Sequence, residues 1–67
     1  MGERKYFCIA VFDKSRNFRG YYASEANKKM KYEQNRVDAK ILTSEKEADE
    51  LIDVLKTNHK NHIFEIV

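Results

Sequence analysis

Lys5-Tyr6-Phe7-Cys8-Ile9-Ala10-Val11-Phe12-Asp13 is apolar on both of its faces and rich in aromatic and β-branched residues. Such a run reads as a strand inside a sheet, covered on each side or paired with two neighbours. The residues Asp13-Lys14-Ser15-Arg16-Asn17 that follow have turn chemistry. Phe18-Arg19-Gly20-Tyr21-Tyr22-Ala23 then returns as a second strand, so residues 5 to 23 are expected to form a β-hairpin. Gly20, inside the second strand, predicts a bulge or a close backbone approach.

Beyond the hairpin, Ser24 to Asn35 supports two readings. Met30 and Tyr32 alternate with charged residues, as in a polar edge strand or an extended arm, while a short helix from Glu25 to Lys31 fits equally well. Arg36-Val37-Asp38-Ala39-Lys40-Ile41-Leu42 alternates, with Val37, Ala39 and Ile41 on one side, and predicts a half-buried strand. Ser44 followed by Glu47 has the form of a capping box, and Glu45, Glu47, Asp49 and Glu50 crowd the end where a helix dipole favours negative charge. Ala48, Leu51, Ile52 and Leu55 make one apolar stripe, so a helix is expected from about 45 to 58. Asn58 or Asn61 is the expected left-handed cap. His62-Ile63-Phe64-Glu65-Ile66-Val67 alternates again and reads as a last strand.

The order β-β-β-α-β defines an α+β domain: a small, mainly antiparallel sheet of three or four strands with one helix packed on one face. The helix joins the third and last strands, which a right-handed crossover allows to be parallel.

Sixty-seven residues make a single domain, spanning 1–67, that buries only about 60% of its unfolded surface. Its expected stability is on the order of 5 kcal/mol. Nearly every large apolar side chain is needed in the core, which leaves little room for a small-molecule cavity of roughly 300 Å³. The 42% hydrophobic and 36% charged residues are those of a folded, soluble domain rather than a disordered one. Tyr6 to Phe12 is too short to cross a bilayer, so no membrane association and a cytoplasmic location are expected. Cys8 is the only cysteine and reads as a small buried hydrophobe.

No catalytic set emerges. Asp49, Glu50 and Asp53 lie off the apolar stripe, and the serines have no histidine beside them. Gly2 and Gly20 alone cannot build a phosphate loop. His59 and His62 are three apart, but they fall at the end of the helix with Lys60 between them and no adjacent acid or thiol. No metal, no cofactor and no small-molecule substrate are expected, and no enzyme.

Charge is uneven along the chain. Residues 1–40 hold ten Lys or Arg against five Asp or Glu, whereas residues 41–67 hold three against six. The helix N-terminus accounts for the acidic excess, but nothing comparable accounts for the basic one. Within residues 14–40, Arg16, Arg19, Lys28, Lys29, Lys31 and Arg36 are interleaved with Tyr21, Tyr22 and Tyr32. Three uses fit this pattern: a solvated face with cross-strand tyrosines, a protein-binding surface, and a weak, sequence-tolerant nucleic-acid surface with rings that stack on bases.

The segment Asn35 to Ala48, in which Ala39-Lys40-Ile41-Leu42 runs into Thr43-Ser44-Glu45-Lys46-Glu47-Ala48, resembles small accessory proteins of bacteriophages and prophages of low-GC Gram-positive bacteria. The likeness covers the C-terminal half. It implies a small protein of a mobile element that acts by binding, and it transfers no active-site residues. The expected function is therefore a non-enzymatic binding module, engaging another protein or its own copy through a sheet edge. The alternative is nucleic-acid binding by residues 14–40.

Overall fold

The computed structural model describes residues 6–26 and 29–67. Four strands, β1 (Ile9–Asp13), β2 (Phe18–Ala26), β3 (Lys29–Glu33) and β4 (His62–Ile66), form one antiparallel sheet in the order β3-β2-β1-β4. One helix, α1 (Glu45–Asn58), packs on one face, so the chain is an α+β domain. No helix of the described residues is long and apolar enough to cross a membrane.

β1 is an interior strand, paired with β2 on one side and β4 on the other. Its alternate residues explain its doubly apolar sequence. Ile9 and Val11 join Tyr22, Leu42, Ala48, Ile52, Leu55 and Phe64 in the core under α1, while Cys8 and Ala10 are buried on the opposite face. The β1–β2 hairpin forms as expected, with a register shift beside Gly20 that leaves Arg19 as the extra residue. Gly20 sits at φ +143°, and a Cβ there would lie 2.8 Å from Tyr32 Cβ. The absence of a side chain lets the neighbouring strand's tyrosine pass over it.

Residues 29–33 are the third strand, which settles the two readings of that stretch. Met30 and Tyr32 both pack against the core. Extended backbone puts residues two apart on the same side, whereas a helix would point them apart. A second register shift leaves Ala23 unpaired and bends β2 beyond it.

The expected strand over 36–42 does not form. Arg36–Asp38 is a 3₁₀ turn, and only a single bridge, Phe7 with Leu42, links this stretch to the sheet. Val37 and Ile41 are exposed, and of the alternating trio only Ala39 is buried. The reason is topological: with β3 supplied by 29–33, the segment must carry the chain from the end of β3 to the start of β1. Lys40 N donates to Tyr22 O (3.0 Å), and Phe7 and Leu42 exchange 2.8 Å bonds in the gap where β2 has splayed from β1. The third and last strands are accordingly not a parallel pair: β4 lies antiparallel beside β1, at the other edge from β3.

α1 begins where the capping signal places it. Ser44 Oγ accepts from Glu47 N (3.1 Å), while the Glu47 carboxylate accepts from the Thr43 hydroxyl (3.3 Å) instead of closing the reciprocal half of the box. Its C-cap is His59, whose N–H reaches Leu55 O, and neither Asn58 nor Asn61 is left-handed.

Candidate binding surface

The hairpin turn is held by one carboxylate. Asp13 Oδ1 accepts from Ser15 N and Asn17 N (both 2.9 Å), and Oδ2 accepts from Asn17 Nδ2 (3.3 Å). The Asn17 amide, chief among the causes, holds the Asp13 carboxyl below its ordinary value of 3.8, with burial opposing and Arg19 adding a weak pull. Arg16 closes the turn at φ 67°, a left-handed position more often given to Gly or Asn. Its side chain stands at the hairpin tip.

The face away from α1 carries two exposed apolar groups. Near the hairpin, Phe18 stacks edge-on against Phe12 (5.7 Å between centroids) and Tyr21 (5.1 Å). Elsewhere, Tyr6, Val37 and Ile41 line a shallow recess of about 400 Å³, with Arg36 as its polar member. Val37 is 85% exposed there. Arg36 is anchored by donating from Nη2 to Val67 O (2.9 Å), the same carbonyl that accepts from Cys8 N, so its guanidinium is fixed at the end of β4.

The α1 face is closed and polar at one end. Tyr32 Oη and His62 Nε2 lie 3.3 Å apart, and the His62 ring meets that of His59 edge-on at 6.2 Å. His59 Nε2 pairs with the Glu25 carboxylate, both side chains largely covered. The bend at Ala23 brings Glu25 over the end of the helix, so this chain ties the β2–β3 hairpin to the α1–β4 corner. Tyr22 lies in the same layer, its phenol pushed above its ordinary value of 10 by burial and then by the Glu25 charge. Among the described residues, no group of three or more His, Cys, Asp or Glu is arranged to hold a metal ion.

The sequence-derived candidates therefore divide. Tyr22 is core, not surface, and Tyr32 is half-buried on the same side, because both side chains point toward α1. Tyr21, Lys29, Lys31 and Arg36 belong to other surfaces: Tyr21 to the hairpin cluster, Lys31 to an exposed pair with Glu33 (3.4 Å), Arg36 to the recess. Arg16 and Arg19 lie at the turn and the first bulge, and Lys28 falls outside the described residues. Basic and tyrosine residues that interleave in sequence do not interleave in space, since a strand sends neighbours to opposite faces.

The recess is not legible in the sequence, because the alternation of Val37, Ala39 and Ile41 reads as one face of a half-buried strand. Nor are the Glu25–His59 and Tyr32–His62 links, which join residues about thirty apart. One signal was present: Glu25 is the only acid between Lys14 and Tyr32. Comparison with protein families, with curated proteins and with solved structures finds no match to this chain.

Proposed function

We propose that this chain is a non-enzymatic binding module that engages a protein partner through the open side of its sheet, in keeping with the resemblance to phage accessory proteins. The observation behind this reading is the recess of Tyr6, Val37, Ile41 and Arg36, which keeps a fully grown aliphatic side chain in solvent beside a fixed guanidinium. Apolar contact with an arginine at its margin is a composition favoured at protein interfaces. The occupant such a site fits is a large apolar side chain next to a carboxylate, which the remaining Arg36 donors would receive.

The test is selection from a displayed peptide library against the intact protein. Enrichment of peptides with Leu, Ile or Phe adjoining Asp or Glu is expected, lost with V37E and inverted toward basic peptides with R36E. Equal enrichment on wild type and V37E would overturn the assignment.

A nucleic-acid reading draws on a different observation, the exposed Phe18 ring beside Tyr21 with Arg16 and Arg19 close in the chain. It requires anisotropy of a labelled single strand to rise with protein and to fall steeply with salt, and F18A with R19A to abolish the rise.

A further inference from the structure

The two edges of the sheet are not alike. β3 carries Lys29 and Lys31, the second paired with Glu33, and the bulge at Ala23 twists the strand beside it. Lysines and bulges are the usual guards against another strand docking on an edge. β4, His62-Ile63-Phe64-Glu65-Ile66, has no lysine and one charged residue.

The hydrogen-bond pattern shows what β4 offers. Cys8 and Val67 exchange both bonds (2.9 Å each), and the register continues as Ala10 with Glu65 and Phe12 with Ile63. In an antiparallel ladder the bonded pairs alternate, so Ile63, Glu65 and Val67 direct their backbone groups at β1. Phe64 and Ile66 direct theirs away from the sheet. His62 spends its N–H on His59 O (3.2 Å) and leaves its carbonyl outward. Among the described residues, no loop, turn or cap bonds to the outward groups of Phe64 and Ile66.

We propose that β4 is a docking edge for a second copy of this chain, the two β4 strands pairing antiparallel about Phe64. The register follows from the outward groups. Phe64 of each copy exchanges both backbone bonds with Phe64 of the other, and each Ile66 N–H meets the outward carbonyl of His62. No backbone donor in that interval is left idle. The same register sets Glu65 opposite Ile63, so the one acid never faces itself; a shift centred on Glu65 would oppose two carboxylates. On the open face the two Ile63 side chains become diagonal neighbours, within contact reach. The two-fold axis is perpendicular to the sheet, so both helices stay on one side and two four-stranded sheets become one. Pairing five-residue edges buries less than a standard interface, so a dissociation constant on the order of 100 μM is expected. This edge is independent of the recess at Val37.

Sedimentation equilibrium from low micromolar to millimolar concentration, with amide exchange read by NMR at both ends of the range, tests the pairing. The expected result is a monomer–dimer equilibrium in which the Phe64 and Ile66 amides gain protection with concentration while the β3 amides do not. Total chemical synthesis with an N-methyl group on Ile66 removes an outward donor and leaves every side chain in place. It should weaken dimerisation at least tenfold, with the circular dichroism of the monomer unchanged. V37E should dimerise like wild type, separating this interface from the proposed partner site. A monomer at every concentration, or a dimer in which Phe64 and Ile66 exchange as fast as in the monomer, overturns the proposal. The exchange measurement on wild type decides the matter even if the N-methylated chain does not fold.

Discussion

On the α1 side of the sheet, Ile9, Val11, Tyr22 and Phe64 lock against Ala48, Ile52 and Leu55, and polar groups meet across long stretches of sequence. On the other side, Cys8 and Ala10 are covered but Phe18, Val37 and Ile41 stay open to solvent. A chain of this length has one helix to spend, and it goes to one face. The second face is roofed only in part, by a connection with little regular structure. The buried core and the exposed apolar groups thereby lie on different sides, and substitutions should separate them.

The largest separation is expected between Leu55 and Val37. Leu55, the last residue of the helix's apolar stripe, is fully buried. Leu55→Ala should cost about 2–5 kcal/mol, most or all of the stability of so small a domain. Val37→Ala, at an 85% exposed position, should change stability by less than about 0.5 kcal/mol. Urea unfolding followed by circular dichroism measures both. Comparable losses would mean that Val37 is covered in solution and that the two faces are not the distinct regions described above.

Gly20 breaks the comparison in another way, since it is the point at which one strand's side chain crosses another strand's backbone. Gly20→Ala places a methyl group against Tyr32 Cβ at a φ of +143°, which L residues rarely adopt. The contact of the Tyr32 hydroxyl with His62 depends on that crossing. A loss of about 2–3 kcal/mol is expected, with the His62 ring resonances shifted in the NMR spectrum as the Tyr32 hydroxyl moves away. A neutral substitution would show that Tyr32 has room to move.

The two faces also differ in how legible they were. The hairpin, the helix and the last strand each follow from a local signal: a doubly apolar run, a cap with a stripe, an alternation. Residues 36–42 have an equally clear alternation, and it misleads. Val37, Ala39 and Ile41 do share a spacing, but a strand needs a neighbour, and the sheet's vacancy had already been filled by 29–33. Pairing is a long-range property that a period of two does not encode. The Glu25–His59 link was invisible for the same reason, because the bend that brings Glu25 to the helix end arises from one unpaired residue, Ala23.

The smallest expected effect lies at the hairpin turn, where an exposed carboxylate acts chiefly through hydrogen bonds. Asp13 is held below 3.8 chiefly by the Asn17 amide. A carboxyl whose folded value is depressed contributes stability that is fully present above its unfolded value and lost as pH falls through the folded one. Asp13→Asn keeps an acceptor oxygen for Ser15 and Asn17 but removes the charge. The other carboxyls titrate in both proteins and cancel in the difference. The gap between the urea midpoints of wild type and D13N should therefore be largest near neutral pH and close as pH falls through 3.8 and below it. Since the group is exposed, the gap should be small and should shrink further in high salt. A gap that persists at low pH would assign the turn's stability to the shape of the Asp13 side chain rather than to its charge.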